Sequence, residues 1–350
     1  MACRQRFASL AVSRCAFSYD QTSNTTMRNT RILACAVAAL CARGASAQEI
    51  SFYGGPLTGE HSHSYSWALD YNEGIGQYLA GGITWLNEGH VPNHHRDGPV
   101  AQLWGRLPLM QRRLVFSLGV GPYRYFDTEA AAEGAGYSNT HGWGVVYSAR
   151  ASWYSSHRWT GNLQLNHVQV AGGESSSAIM LGIGYQLDAP DTPGPRDFAL
   201  PRTSKVTNNE ITLMAGTTIL NSLESQTSWA EAIEYRRGLT NYLDATIGYL
   251  HEGSGLTARR DGATAQLWLT RAFLDDRLSL GIGAGAYAAI HHGDAGDNRS
   301  TGDGILSGLV SMSASYRITR NWSTRVTWNR VMTRYSRDTD VILGGIGYRF

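Results

Sequence analysis

Apolar and polar residues alternate one by one along most of the chain, in segments of about ten residues. In the segment 159–170, one face carries a tryptophan, a glycine and leucines, whereas the other carries threonine, asparagine and glutamine. A period of two is the pattern of a β-strand, because successive side chains point to opposite faces. The pattern predicts eight strands in the first half, at roughly 50–58, 65–72, 78–86, 99–107, 113–124, 143–154, 159–170 and 176–187. Equivalent strands are predicted between 210 and 350.

A nine-residue segment occurs twice in the chain. Residues 96–104 read RDGPVAQLW and residues 260–268 read RDGATAQLW, an offset of 164 positions. Further residues match on both sides at nearly the same offset, over about 140 residues, which is long enough for a small domain. The repeat predicts an internal duplication with a first unit at 48–188 and a second at 210–350, joined by a proline-rich linker at 189–209.

The connections between the predicted strands alternate in length. Glu73–Gln77 and Pro108–Arg112 are short, whereas Asn87–Gly98 and Phe126–Gly142 are long. Short turns on one side, long loops on the other and strands of about ten residues with aromatic ends are typical of membrane barrels. The predicted fold class is therefore all-β, a transmembrane antiparallel β-barrel.

The last strand ends in Gly347, Tyr348, Arg349 and Phe350, which resembles the C-terminal strand of bacterial outer-membrane barrels. The resemblance implies a location in the cell outer membrane and recognition of Phe350 by the outer-membrane assembly machinery. Each half resembles the small eight-stranded type. Two architectures remain open at this point, namely two tandem eight-stranded barrels or one sixteen-stranded barrel.

The inferred inward positions favour two separate barrels. Charges of both signs fall inward in each half, as expected if each half closes around its own polar network. Such a lumen is plugged by side chains, whereas a sixteen-stranded barrel would favour a pore. The predicted lumen network comprises Asp70, Arg106 and Arg150 in the first half and Glu234, Asp244, Arg317 and Arg325 in the second.

The front of the chain has the features of an export signal. After Met27, two arginines precede an apolar run from Ile32 to Ala42, and an Ala-Ser-Ala motif follows at residues 45–47. Residues 1–47 are therefore predicted to be a signal or presequence. All four cysteines precede that cut, so the exported chain would have no disulfide and no thiolate metal site.

The charge of the exported chain does not indicate a nucleic-acid partner. The chain has 30 Lys and Arg against 28 Asp and Glu, and loss of six arginines and one aspartate with the presequence leaves 24 against 27. A slightly negative protein lacks the basic surface that nucleic acids require. The glycine-rich segments lie within alternating strands and precede no helix, so no cofactor is predicted.

One predicted outer loop concentrates groups that could bind a metal ion. Imidazoles and carboxylates together can hold a divalent cation. Solvated loop histidines are the alternative interpretation. The candidate ligands are Glu88, His90, His94, His95 and Asp97.

His167 and Arg330 occupy equivalent positions near the outer end of the seventh strand of each half, on the predicted lipid-facing side. An outward cation there would contact lipopolysaccharide phosphates. The position of His167 also resembles that of a histidine in small-barrel lipid A deacylases, in which a serine follows two residues later. This chain has Gln169 there, so that family's nucleophile is missing. No catalytic residue is assigned, and His167 is the candidate under the hydrolase alternative.

The sequence therefore favours an integral outer-membrane protein with a structural, surface-interaction or lipopolysaccharide-contacting role. The alternatives are a lipid A-modifying acyl hydrolase and an outer-membrane pore. A Ser–His–carboxylate contact on the outer wall would favour the hydrolase, and an open water-filled lumen would favour the pore.

Overall fold

The structure is a computed structural model of the chain. It describes residues 49–59, 63–91, 94–130, 136–171, 173–188, 191–198, 209–253, 260–292 and 306–350. The predicted signal sequence and its cleavage site lie outside these ranges, as does the side chain of His90. Within the part of the chain that the structure describes, no helix is long and apolar enough to cross a membrane.

Sixteen β-strands follow one another along the chain. The first eight are β1 Glu49–Gly59, β2 His63–Gly74, β3 Leu79–Val91, β4 His94–Leu109, β5 Leu114–Ala130, β6 Tyr137–Tyr154, β7 Trp159–Val170 and β8 Ser176–Gln186. The second eight are β9 Asn209–Leu220, β10 Thr227–Gly238, β11 Leu243–His251, β12 Arg260–Phe273, β13 Leu278–His292, β14 Leu306–Arg317, β15 Trp322–Met332 and β16 Thr339–Arg349.

The strands close into two separate antiparallel barrels. In the first barrel, β1 to β8 pair in chain order and β8 returns to β1. In the second barrel, β9 to β16 pair in order and β16 returns to β9. Closure leaves neither sheet with an unpaired edge. The predicted fold of two tandem eight-stranded barrels is confirmed, and the alternative of one sixteen-stranded barrel is wrong.

Each wall is apolar outside, and its inner face carries polar residues together with a cluster of buried apolar ones. Along β7, exposed and buried residues alternate strictly, with leucines outside and Asn162 and Gln164 inside. On β6, Trp143 and Trp153 point outward, ten positions apart. At about 3.3 Å per residue and a strand tilt of about 40°, ten positions rise about 25 Å, which is the height of the apolar band of membrane barrels.

Strands β3 to β6 continue beyond this band at the end opposite the short turns, here called the long-loop end. The predicted loops Asn87–Gly98 and Phe126–Gly142 are largely paired strand, which corrects the loop prediction. A register shift interrupts the β3–β4 ladder between Asn87 and His90. The hairpins therefore extend as strands, and side chains in them alternate between two faces.

The two barrels pack side by side along what we call the inter-barrel seam. At the short-turn end, Nε of Arg271 on β12 donates to Glu73 on β2 at 3.0 Å. Near the long-loop end, Arg330 on β15 donates to Asp97 on β4 at 2.8 Å. Because barrel strands tilt, one seam crosses several strands of each wall. Its aromatic contacts, with ring centroids 4.1 and 6.5 Å apart, are Trp85 with Trp328 and Tyr71 with Phe273.

The described part of the linker, residues 191–198, lies across the short-turn end of the first barrel. The amide of Gly76 in the β2–β3 turn donates to the Asp197 carbonyl at 3.0 Å. Gln186, at the end of β8, donates to a carbonyl of the segment at 2.9 Å. Arg112 in the β4–β5 turn makes two hydrogen bonds with the Asp197 carboxylate, at 3.0 and 2.5 Å. The segment is therefore anchored to two turns of the barrel and to the end of β8.

Candidate functional site

The outer part of the first lumen is held by a bidentate ion pair. Arg96 donates from Nε and Nη2 to the two carboxylate oxygens of Glu88, each at 2.6 Å. Ser176 on β8 donates to the same carboxylate at 2.6 Å. Both charged residues are 4% exposed. Two parallel hydrogen bonds fix both planar groups, so this Arg–Glu clamp is rigid and its two charges neutralise each other.

The second barrel has the same clamp at equivalent positions of the repeated sequence. Arg260 donates to the two oxygens of Glu252 at 2.7 and 3.0 Å. Thr339 on β16 donates to that carboxylate, as Ser176 does in the first barrel. Arg260 also donates to the Tyr335 hydroxyl at 2.9 Å. Each clamp ties the β3–β4 or β11–β12 hairpin to the last strand of its barrel.

Nearer the middle of the wall, each lumen contains a chain of hydrogen bonds from glutamine to serine to asparagine. The Gln102 amide donates to Ser148 at 2.9 Å, and that hydroxyl donates to Asn166 at 2.7 Å. The second barrel has the same chain, at 2.8 and 2.6 Å, in Gln266, Ser311 and Asn329. Buried polar groups that are satisfied in this way stabilise one packing arrangement of the lumen.

A tryptophan fills the centre of each lumen with an arginine on its face. The guanidinium of Arg150 lies 4.1 Å from the Trp104 ring, and that of Arg236 lies 4.3 Å from the Trp268 ring. A Cβ at Gly119 would lie 2.6 Å from the Trp104 indole, so the indole requires glycine there. The cation comes from β6 in the first barrel and from β10 in the second. The two lumens thus make the same cation–π contact from different strands.

Four of the predicted lumen charges are paired inside the barrels. Asp70 accepts a hydrogen bond from Arg150 at 2.7 Å in the first barrel. In the second barrel, Arg325 donates to Glu234 at 2.6 Å and also to Glu210. These five residues are buried, and a buried charge requires such a partner.

Two of the predicted lumen arginines lie at the short-turn end. Arg106 donates to the Gly76 carbonyl at 2.5 Å and is part-buried. Arg317 donates to the carbonyl of Asp275, in the β12–β13 turn, at 2.6 Å. The prediction that Arg317 belongs to the lumen network is corrected, because it is the last residue of β14 and its side chain reaches the exposed turn.

The remaining charges of the second lumen surround a small cavity. Asp244 lies 3.7 Å from Arg236, and Arg349 lies 2.7 Å from Glu210. These residues, with Arg325, line a cavity of about 50 Å³ at the short-turn end, which has room for a few water molecules. Arg236 was not among the predicted lumen residues, although it follows Glu234 by two positions and therefore shares its face.

The residues of the predicted metal site do not come together. Glu88 points into the lumen as part of the clamp, whereas Asp97 points outward into the seam. His95 Nε2 lies 2.9 Å from the side-chain amide of Asn87, and the His90 side chain is outside the described residues. The predicted ligand set is therefore corrected. In a paired hairpin, successive side chains along each strand face opposite sides, so the predicted ligands are divided between the two faces. In a flexible loop, the same side chains could have converged on one ion.

His94 is the member of that set that meets carboxylates in a group suited to a metal. They come from the neighbouring strand β5, as Asp127 and Glu129. His94 Nδ1 lies 3.2 Å from Asp127 and 4.0 Å from Glu129. The sequence signal was the pattern of inward positions on the extended β5, which the loop prediction concealed.

Arg330 does not face lipid, which corrects its predicted environment. It is 3% exposed and donates to Asp340 at 2.6 and 3.0 Å. It also donates to Asp97 of the first barrel at 2.8 Å, and its guanidinium lies 5.8 Å from the Trp85 ring. Arg330 points outward from its own barrel, but the wall of the other barrel covers it.

His167 stands on the exposed face of β7. Its Nδ1 lies 3.0 Å from Oγ of Ser177, the residue paired with it on β8. Its ring stacks against Tyr147, with centroids 6.5 Å apart. Among the ranges that the structure describes, no carboxylate forms an ion pair with His167. A Ser–His contact is therefore present without the third group that orients a catalytic histidine.

Comparisons with known proteins assign no family. No family model matches the chain, and no curated protein matches it. Neisserial surface protein A is 10% identical, over 41% of this chain and 99% of its own, with a TM-score of 0.36. The N-terminal β-barrel domain of Pseudomonas aeruginosa OprF is 11% identical over 41% and 98%, with a TM-score of 0.34. The Pseudomonas putida toluene transporter TodX is 9% identical over 89% and 92%, with a TM-score of 0.24. At such scores these likenesses support no inference about function.

Proposed function

We propose that this chain is an integral protein of a Gram-negative outer membrane with a structural or surface-interaction role, in contact with lipopolysaccharide. The observation that carries the proposal is the contrast between the two sides of each wall. The outside presents a band of apolar residues to its surroundings, and the inside is filled by paired polar side chains and a cluster of apolar ones.

The outer wall supports insertion in a membrane. Leu118, Leu181 and Leu213 are 72, 71 and 63% exposed, and they belong to rows of apolar residues around both barrels. Water-soluble proteins rarely expose continuous apolar surface beyond a few hundred Å². Closure also gives every strand two hydrogen-bonded neighbours, which a barrel in hydrocarbon requires because no water is present to pair with a free edge. Aromatic pairs at the short-turn end of the two barrels, with centroids 5.0 and 5.1 Å apart, are Trp159 with Tyr185 and Trp322 with Tyr348.

The filled lumens argue against the pore. Trp104 and Trp268 each occupy the centre of a barrel and are at most 1% exposed. An arginine covers each indole, and hydrogen-bonded side chains lie on both sides of it. Eight strands enclose an interior just wide enough for side chains. Ions would have to displace these networks in order to pass.

We infer that the halves arose from one barrel by internal duplication. The clamp and the Gln–Ser–Asn chain recur at equivalent positions, as described above. The β4–β5 turn and the β12–β13 turn also share an unusual backbone. Residues 110–112 have φ of 49, 55 and 70°, and residues 274–276 have φ of 54, 54 and 64°. Left-handed residues other than glycine are uncommon, so three in a row at both turns support a common origin.

The proposed lipopolysaccharide contact rests on His167, because the seam covers Arg330. A protonated imidazole at the outer wall would attract a phosphate, and water and salt would screen the contact. His167→Ala should therefore weaken association with lipopolysaccharide micelles only a few-fold, and the effect should shrink at high salt. A binding constant that is the same in both proteins at low salt would remove His167 from the proposed contact.

Recognition by the assembly machinery also stays a proposal. Phe350 is 54% exposed and stacks on Tyr348 at 6.4 Å, so its ring is accessible beside the last strand. Phe350→Ala should slow the appearance of the folded protein in the outer membrane during a pulse-chase experiment. Assembly at the parental rate would contradict that recognition.

The lipid A hydrolase is a second candidate, because Ser177 lies within hydrogen-bond distance of His167. Within the described ranges His167 has no carboxylate partner, and this and the exposure of the pair weigh against the hydrolase. Mass spectrometry of lipid A from cells that express the parent, His167→Ala or Ser177→Ala decides between the two. We expect the same acyl pattern in all three. A shortened acyl pattern with the parent that reverts in both variants would favour the hydrolase.

Cell fractionation and conductance together test the main proposal. The folded protein should be recovered with the outer membrane and should migrate differently on a gel before and after boiling. In a planar lipid bilayer it should produce no stable conductance steps. Recovery as a soluble periplasmic protein would contradict the membrane location, and reproducible conductance steps would favour the pore.

A further inference from the structure

The mouth of the first barrel contains titratable side chains that the proposed membrane role does not use. His94 on β4 is paired directly with Glu129 on β5, and Asp127 lies two positions before Glu129 on the same inward face. Arg124, three positions before Asp127, pairs with Trp143 at the outer edge of the apolar band. The three side chains are therefore outside the membrane-spanning part of the strands.

Asp127 lacks a hydrogen-bond partner on the side that faces His94. It is 4% exposed, and its Oδ1 accepts no hydrogen bond. That oxygen nevertheless lies 3.2 Å from Nδ1 of His94. A buried carboxylate oxygen without a partner is unfavourable. The oxygen and the imidazole nitrogen are thus placed together without satisfying each other.

Burial raises the pKa of the Asp127 carboxyl to about 8, although the nearby Arg96 guanidinium opposes the shift. Glu129, Glu88 and Asp97 add to the increase. Burial likewise lowers the pKa of His94. An imidazole beside two carboxyl groups is the donor set of a cation site, in which the bound ion takes the place of the ligands' protons.

We propose that His94, Asp127 and Glu129 bind one divalent transition-metal ion, best matched by zinc, at the mouth of the first barrel. Zinc accepts imidazole nitrogen and carboxylate oxygen at about 2.0–2.2 Å in a tetrahedral arrangement, which places ligand atoms about 3.4 Å apart. The observed separations of 3.2 and 4.0 Å lie on either side of that value. All three ligand atoms lie within 4.8 Å of one another.

The charges around this site favour a bound cation over an ion pair between Asp127 and a neighbouring arginine. The Arg96 guanidinium acts electrostatically on both His94 and Asp127, but the clamp commits it to Glu88 at 2.6 Å. The second barrel has no equivalent donor set in its sequence. The offset of 164 leads from the three ligands to Ala258, His291 and Gly293. The proposal therefore predicts one zinc ion per chain.

Isothermal titration of the folded full-length protein with zinc chloride tests this site. The parent should bind one equivalent of zinc. His94→Ala and Asp127→Asn should each weaken binding by about tenfold or more, since each removes one of three ligands. The matched control is His95→Ala, which changes the adjacent imidazole outside the site and should leave the affinity unchanged. Heat-modifiable gel mobility confirms that each variant is folded.

Glu129→Gln is a second variant at the more exposed end of the site and guards against misfolding of the Asp127 variant. It should also weaken zinc binding while preserving gel mobility. Absence of saturable zinc binding by the parent would overturn the proposal. So would equal losses in His94→Ala and His95→Ala, because they would indicate loosely bound zinc on loop histidines.

Discussion

Replacing Arg330 with methionine tests the buried ion pairs of the inter-barrel seam. Arg330 is 3% exposed and bonds to both Asp97 and Asp340. Without the guanidinium, two carboxylates would face each other across the seam. Protonating one ordinary aspartate at pH 7 costs about 4 kcal/mol, and breaking a buried ion pair costs about 3–5 kcal/mol. We therefore expect Arg330→Met to lower the free energy of unfolding by about 3–4 kcal/mol.

Urea unfolding in detergent micelles, followed by tryptophan fluorescence, measures this change. The double variant Arg330→Met, Asp97→Asn should recover part of the loss, because it removes one of the unpaired charges. The control is Arg237→Met at an exposed position, which should change stability by less than about 0.5 kcal/mol. An Arg330→Met variant as stable as the parent would refute the buried seam. A double variant no more stable than the single one would refute the role of Asp97 in it.

Two further predictions concern packing and pH. A Cβ at Gly283 would lie 2.6 Å from the Trp268 indole, so Gly283→Val should destabilise the second barrel by about 1–3 kcal/mol. The control is Gly344→Ala, which should be tolerated because its Cβ meets open space. Equal melting temperatures of the two variants would contradict this packing. Hydrogen bonds from Arg112 lower the pKa of Asp197 below the ordinary 3.8, so the pair stabilises the fold above that pH and the effect is lost as pH falls through the lowered pKa. Both side chains are 31% exposed, so Asp197→Asn should lower the free energy of unfolding by under about 1 kcal/mol at pH 7 and by less near pH 2. A decrease in the free energy of unfolding that does not depend on pH would contradict the ion pair.

Alternation of residues predicted the lumen charges because a strand has a strict period of two. Asp70, Arg150, Glu234 and Arg325 are inside and paired, as their positions indicated. The rule failed for Arg317, because the wall ends at that residue and the side chain is free to reach the turn. Position on a strand face predicts direction only where neighbouring strands continue.

The seam could not be predicted from alternation, because an outward position on a barrel wall can contact either lipid or a second barrel. The signal that was missed is charge. An outward arginine costs about 2–4 kcal/mol at the midplane of a membrane barrel and less toward the interfaces, so an outward arginine that is paired with an acidic residue of the other barrel indicates a covered surface. The seam contains such pairs in Glu73 with Arg271 and in Asp97 with Arg330. Which arcs of the two walls meet depends on the placement of both barrels, and no local pattern determines it.

The zinc ligands were only partly visible in the sequence. His94 was predicted to lie among metal-binding groups, but its partners were sought in its own loop. Continuation of β3, β4 and β5 as paired strands placed Glu88 and Asp97 on opposite faces and brought Asp127 beside His94. Cross-strand neighbours depend on register, which the uncertain ends of predicted strands do not fix.

Disulfide cross-linking in isolated outer membranes tests most directly whether each half closes on itself. Phe52 pairs with Ile183 across β1 and β8, and Leu213 pairs with Ile346 across β9 and β16. Paired antiparallel residues have Cα atoms about 4.5–5.5 Å apart, within the range of a disulfide. With the four native cysteines replaced by serine, we predict that cysteines at each pair cross-link within the outer-membrane fraction. Cross-linking of Ile183→Cys with Leu213→Cys instead, as one large barrel would require, would contradict two closed barrels.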